Sequence, residues 1–146
     1  MYDKTTRDLI STLNNAKNTA ELNKYLNELK TSKDNLKLSD YFNYMIGEKK
    51  LVLADVVSRS NLDKDYAYQI LNGIKQNPSR MKVIAVCIGC QLNYTETQRA
   101  LKIAEKGVLY PRDAGDAIII YNINSKNWNV TKINEQLEDA GQDLIE

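Results

Sequence analysis

The sequence predicts an all-α protein, and three observations predict it. Six glycines and two prolines in 146 residues are too few for a fold built on many tight turns. Apolar residues recur at helical spacing along most of the chain, as in Phe42, Met45 and Ile46, or Ala67, Ile70 and Leu71. The third observation is a weak internal repeat. Leu92-Asn93-x-Thr95-x-x-Gln98-x-x-Leu101-x-x-Ala104 is echoed by Trp128-Asn129-x-Thr131-x-x-Asn134-x-x-Leu137-x-x-Ala140. A proline, an arginine and an apolar run precede each copy: Pro78 and Arg80, then Pro111 and Arg112. The β-branched run Ala117-Ile118-Ile119-Ile120-Tyr121 reads as a buried strand by propensity alone. The repeat instead makes 113–124 a helix, by analogy with 79–89.

Taken in order, Leu9, Ile10 and Leu13 open a helical N-terminal extension at about 1–35. Asn18 and Glu21 have capping-box spacing, and Leu22, Tyr25, Leu26 and Leu29 form an apolar stripe behind them. Residues 30–37 are polar and read as a connection. Ser39 is the expected cap of the next helix. Leu53, Val56 and Val57 mark a helix within 51–61, closed by Asn61, a residue that tolerates left-handed backbone. Asp63 caps a helix over 64–72, which stops at Asn72-Gly73. Ser79 caps a helix that is apolar nearly all round, from Met81 to Ile88, and therefore central. Asn93 caps 94–106, and Gly107 ends it. The expected organisation is the extension 1–35, a domain over 36–107, and a C-terminal helical hairpin, 108–146, packed on that domain.

Composition excludes several classes. Twenty basic residues against nineteen acidic ones rule out a polycation. The absence of histidine removes every Ser-His, Cys-His and His-metal arrangement. Cys87-Ile-Gly-Cys90 lacks the further ligands that zinc needs and the βαβ context of a thioredoxin-like site. The two cysteines read as small apolar core residues. No catalytic constellation, metal or cofactor is expected, so the chain is not expected to be an enzyme. The longest apolar run, Val83 to Gly89, is far short of a membrane span. Met1-Tyr2-Asp3-Lys4 does not open a signal peptide. Cytoplasmic location is the expectation.

The most specific signal lies in 51–73, where two short helices are joined by Ser60-Asn61-Leu62-Asp63. A residue able to take positive φ, an anchoring leucine and an Asp cap make the layout of a helix-turn-helix. Together with Lys64-Asp65-Tyr66-Ala67-Tyr68-Gln69-Ile70-Leu71-Asn72-Gly73 and Asn77-Pro78-Ser79, it resembles the Cro-type, λ-repressor-like (XRE family) helix-turn-helix domain. The resemblance covers roughly 39–106. It implies a five-helix DNA-binding domain and a regulator of transcription that binds pseudo-palindromic double-stranded DNA, commonly as a dimer.

Side-chain chemistry then distributes the roles along a reading helix at about 64–72. Gln69 suits adenine, Lys64 guanine and Asp65 cytosine N4, while Tyr68 suits a phosphate or a thymine methyl. Tyr66, Lys75, Gln76, Asn77 and Arg80 are the expected phosphate contacts. Seven basic residues against four acidic ones in 48–82, and three against seven in 108–146, give the chain a charge polarity that fits. Tyr121, Trp128, Val130, Ile133 and Leu137 are the expected apolar surface of a homodimer. The chain departs from the family at Leu53, where Gln is usual, at Val57, where Ala is usual, and at the acidic Asp65. These departures motivate an alternative: a helical protein-interaction adaptor that has lost DNA binding.

Overall fold

The computed structural model describes residues 10, 11, 13, 14, 18–24, 26 and 37–146. The chain divides into two compact units, Met1–Leu36 and Lys37–Glu146. In the first, the described residues 10, 11, 13, 14, 19–24 and 26 are helical. Asn18 Oδ1 accepts a hydrogen bond from the Glu21 N–H at 2.9 Å, as its capping spacing predicts. Leu9, Tyr25 and Leu29 lie outside the described residues.

The second unit consists of seven helices: α1 (Leu38–Glu48), α2 (Leu53–Ser60), α3 (Lys64–Leu71), α4 (Arg80–Gly89), α5 (Tyr94–Ile103), α6 (Ala114–Asn124) and α7 (Val130–Asp139). No strand occurs among the described residues. The repeat decided correctly at 117–121: these residues form the middle of α6, and Asp113 Oδ2 caps its Asp116 N–H at 2.9 Å.

Polar side chains start the helices. Asp63, Ser79, Asn93, Asp113 and Asn129 each accept from the backbone N–H three residues on. At α5 the Glu96 carboxylate also reaches back to the Asn93 N–H at 2.9 Å, completing a capping box. Ser39 is not a cap. α1 begins one residue before it, after Lys37, which supplies no side-chain bond.

Left-handed residues end the helices. Lys50, Asn61, Gly73, Gln91, Glu105, Lys126 and Gly141 follow the seven helices in turn, all at positive φ. Five of these ends are Schellman turns, with an N–H reaching back five residues to a helix carbonyl: Leu51 to Ile46, Leu92 to Cys87, Lys106 to Leu101, Asn127 to Asn122 and Gln142 to Leu137. Gly107 therefore does not end α5; the turn at Glu105 does.

α4 is the centre of the unit, with Val83 through Gly89 all buried. It packs most extensively on α2 and then on α5. A Cβ at Gly89 would lie 2.5 Å from the Val56 carbonyl oxygen, so only glycine lets α2 come this close. Leu53, expected on the core face of α2, is exposed, whereas Val56 and Val57 are buried.

The internal repeat is a repeat of hydrogen bonds as well as of residues. The Gln98 side-chain amide binds both backbone groups of Leu109, at 2.8 and 3.0 Å. Asn134, its counterpart in the second copy, binds both backbone groups of Ile145, at 2.8 and 3.0 Å. Each clamp folds the segment after a helix back along it and buries an apolar side chain there, Leu109 or Ile145.

Candidate nucleic-acid interface

α2 and α3 are eight-residue helices joined through Asn61, at φ 58° and ψ 18°. Ser60 is buried; its hydroxyl donates to the Val57 carbonyl at 2.6 Å and accepts from the Leu62 N–H at 3.4 Å. Asp63 then caps α3 through the Tyr66 N–H at 3.1 Å. Leu62 is half-buried rather than fully buried. Ala67, Ile70 and Leu71 form the inward face of α3. Its far end is seated on α1, where Asn43 Nδ2 donates to the Leu71 carbonyl at 2.8 Å. Gly73 follows at φ 86°, a backbone that strains any side chain, and a Cβ there would sit a tight 3.2 Å from Ser39 Oγ.

The predicted reading residues share the outward side of α3. Lys64 and Asp65 are exposed on its first turn, and Tyr68 and Gln69 are half-buried one turn later. Behind them, Lys75, Gln76 and Asn77 are exposed in the loop that leads to α4. This loop is tied back to α3 by the Lys75 N–H, which donates to the Gln69 carbonyl at 2.9 Å, and is anchored by buried Pro78.

Tyr66, half-buried, gathers cations. Lys75 Nζ lies 5.7 Å from its ring centroid and Lys82 Nζ 5.3 Å. Neither ammonium forms an ion pair among the described residues. The N-terminus of α4, capped by Ser79, adds a partial positive charge nearby in the chain. In the sequence Lys82 counts only toward the basic charge of 48–82 and is not among the expected phosphate contacts. Its α4 position looked like part of an apolar helix, and only the fold brings it to Tyr66.

Arg80 departs from its expected role. Its guanidinium forks onto Asp116, at 3.1 Å to Oδ1 and 2.7 Å to Oδ2. It also donates to the Gly107 and Val108 carbonyls at 2.8 and 3.2 Å. The buried Asp116 carboxylate accepts from the Tyr110 N–H as well, at 2.9 Å. Arg80 is thus committed to holding the 107–110 linker, which joins α5 to α6, against the start of α4, and most of its charge is cancelled there.

Cys87 and Cys90 are free and fully buried. Burial pushes the Cys90 thiol up to about 12, against the opposing pull of Arg59 and Lys49. Cys87 is also pushed well up, by burial first and by neighbouring Cys90 second. Both are thiols without thiolate character. Among the described residues, no group of three or more Cys, Asp or Glu side chains is placed to hold a metal ion. No described helix is long and apolar enough to cross a membrane.

No protein-family model, curated protein or solved structure matches the chain.

Proposed function

We propose that the chain is a sequence-specific double-stranded-DNA-binding regulator of transcription. In this reading α2, the Asn61–Asp63 turn and α3 act as a λ-repressor-like helix-turn-helix, and α3 lies in the major groove. One observation carries it. α3 is held on its inner face and at both ends, while Lys64, Asp65, Tyr68 and Gln69 line its outer side beside two cations that lack an acidic partner among the described residues. Gln69 and Lys64 offer the hydrogen bonds that adenine and guanine edges accept or return. Lys75, Gln76, Asn77, Tyr66 and Lys82 face backbone phosphates, which position the domain and carry no sequence information.

The test is titration against random duplex DNA at about 50 and 200 mM salt, followed by selection of bound sequences from a random pool. Salt-dependent non-specific binding and an enriched motif are expected. Gln69→Ala should cost about 1–3 kcal/mol at one base position, and Lys75→Ala should weaken all sequences alike. Lack of salt-dependent binding would favour the adaptor reading instead. One specific feature speaks for that second reading: Val52 and Leu53 at the start of α2, and Ile74 just after α3, are exposed apolar side chains.

A further inference from the structure

We infer that two copies of this chain pair through the outward face of α6, antiparallel and about a two-fold axis. The inference does not depend on DNA binding. It starts from the correspondence of α4 and α6, the helices that precede the two copies of the repeat and close with the same pair of bonds. Leu92 to Cys87 and Gln91 to Ile88 in one become Asn127 to Asn122 and Lys126 to Ile123 in the other. In α4, the side that carries Ala85, Val86 and Gly89 lies under α2. The same positions in α6 are Ile120, Tyr121 and Asn124, and no helix of the unit takes the place of α2 there. α6 packs on α5 and α7. Val86 is 1% exposed and Tyr121 is 65% exposed.

This open side is apolar because α6 has the composition of a buried helix. From Ala117 to Ile123 it carries no charge. Its one internal acid, Asp116, points inward to Arg80. The other residues expected to form a dimer surface are taken up elsewhere. Val130, Ile133 and Leu137 are buried in the unit's own core, and Trp128 is half-buried, with its indole N–H donating to the Leu92 carbonyl at 3.1 Å. The expected dimer surface is corrected to α6 alone.

The ends of α6 argue for a second copy as the occupant. Asp113 is exposed at the N-terminal end and Lys126 at the C-terminal end. An antiparallel pair centred between Ile119 and Ile120 sets each Asp113 beside the other copy's Lys126. The same register sets Tyr121 against the other copy's Ile118, with small Ala114 and Ala117 alongside to receive the ring. One register thus satisfies charge and volume at both ends, as an isologous contact requires. Antiparallel helix dipoles add to it.

Sedimentation equilibrium of the full chain tests this. A wild-type dimer dissociating in the micromolar range is expected, because one helix pair covers less than the ~800 Å² per partner of a standard interface. Tyr121→Glu should weaken dimerisation at least ~30-fold, as loss of a central aromatic anchor does, with unchanged circular dichroism and melting. Lys126→Asp should weaken it several-fold, and adding Asp113→Asn, which keeps the cap, should recover much of that loss. A wild type that is monomeric at high micromolar concentration overturns the inference. So does a dimer indifferent to Tyr121→Glu, or one indifferent to Lys126→Asp.

Discussion

At the scale of single residues, close contact and burial make two predictions. Gly89 sits where α2 and α4 touch through backbone, and the Val56 carbonyl leaves no space for a methyl group. Gly89→Ala should cost about 1–3 kcal/mol by overpacking, read as a lowered urea midpoint. The second prediction concerns pH. The Cys90 thiol ionises at 9.0 when unperturbed and at about 12 in the fold. Between these values the folded state holds a proton that the unfolded state has lost. The contribution is fully present below 9.0 and is lost as pH rises toward about 12. The steepest loss is about 1.4 kcal/mol per pH unit. Chemical denaturation at stepped alkaline pH should show wild type losing stability faster than Cys90→Ala. Equal slopes would mean that the thiol is not protected by burial.

At the scale of elements, the paired amide clamps give the repeat its mechanical sense. Gln98→Ala removes both hydrogen bonds to the Leu109 backbone and leaves partly buried groups unpaired. It should cost about 1–3 kcal/mol. Amide hydrogen exchange at Leu109 should quicken while exchange in α7 stays unchanged, because α7 has its own clamp through Asn134. Asn134→Ala should do the reverse, quickening Ile145. Had the repeat been a coincidence of residue types, the two clamps would not connect equivalent positions.

At the scale of the whole molecule, Arg80 and Asp116 join the start of α4 to the start of α6 across the 107–110 linker. Arg80→Ala strands an almost fully buried carboxylate. Its guanidinium is itself partly exposed, so the loss should be about 2–4 kcal/mol, below or near the lower end for a fully buried pair. The same variant separates structure from binding. If Lys75 and Lys82 carry the phosphate contacts, each alanine variant should lower the salt slope of DNA binding by about one. Arg80→Ala, measured at a temperature where it stays folded, should leave the slope unchanged. A slope reduced as much by Arg80→Ala would return that arginine to the interface. Dimerisation through α6 would add a second α3 to each complex and lengthen the site read.

Local signals were legible in the sequence because they are local in physics. An Asp, Ser or Asn cap acts within three residues, so Asp63, Ser79 and Asn93 could be placed before any fold was known. Asn61 was readable as a left-handed exit because few residues tolerate that backbone. Lys50, Gln91, Glu105 and Lys126 adopt the same conformation without being residues that announce it. There the Schellman bonds and the packing after each helix hold the backbone, so the residue types point to Gly107 as the end of α5 when the turn lies at Glu105. The repeat resolved α6 because two copies of a pattern outweigh the strand propensity of three isoleucines. Tertiary structure alone decided what depends on distance through space. Arg80 and Lys82 are two residues apart and both basic. The turn of α4 sends one to a carboxylate 36 residues away and the other to the ring of Tyr66. Tyr121 and Ile133 are both apolar in the C-terminal hairpin. Whether either meets a neighbour depends on which helix the fold lays over it: Ile133 is buried, whereas Tyr121 is left at the surface.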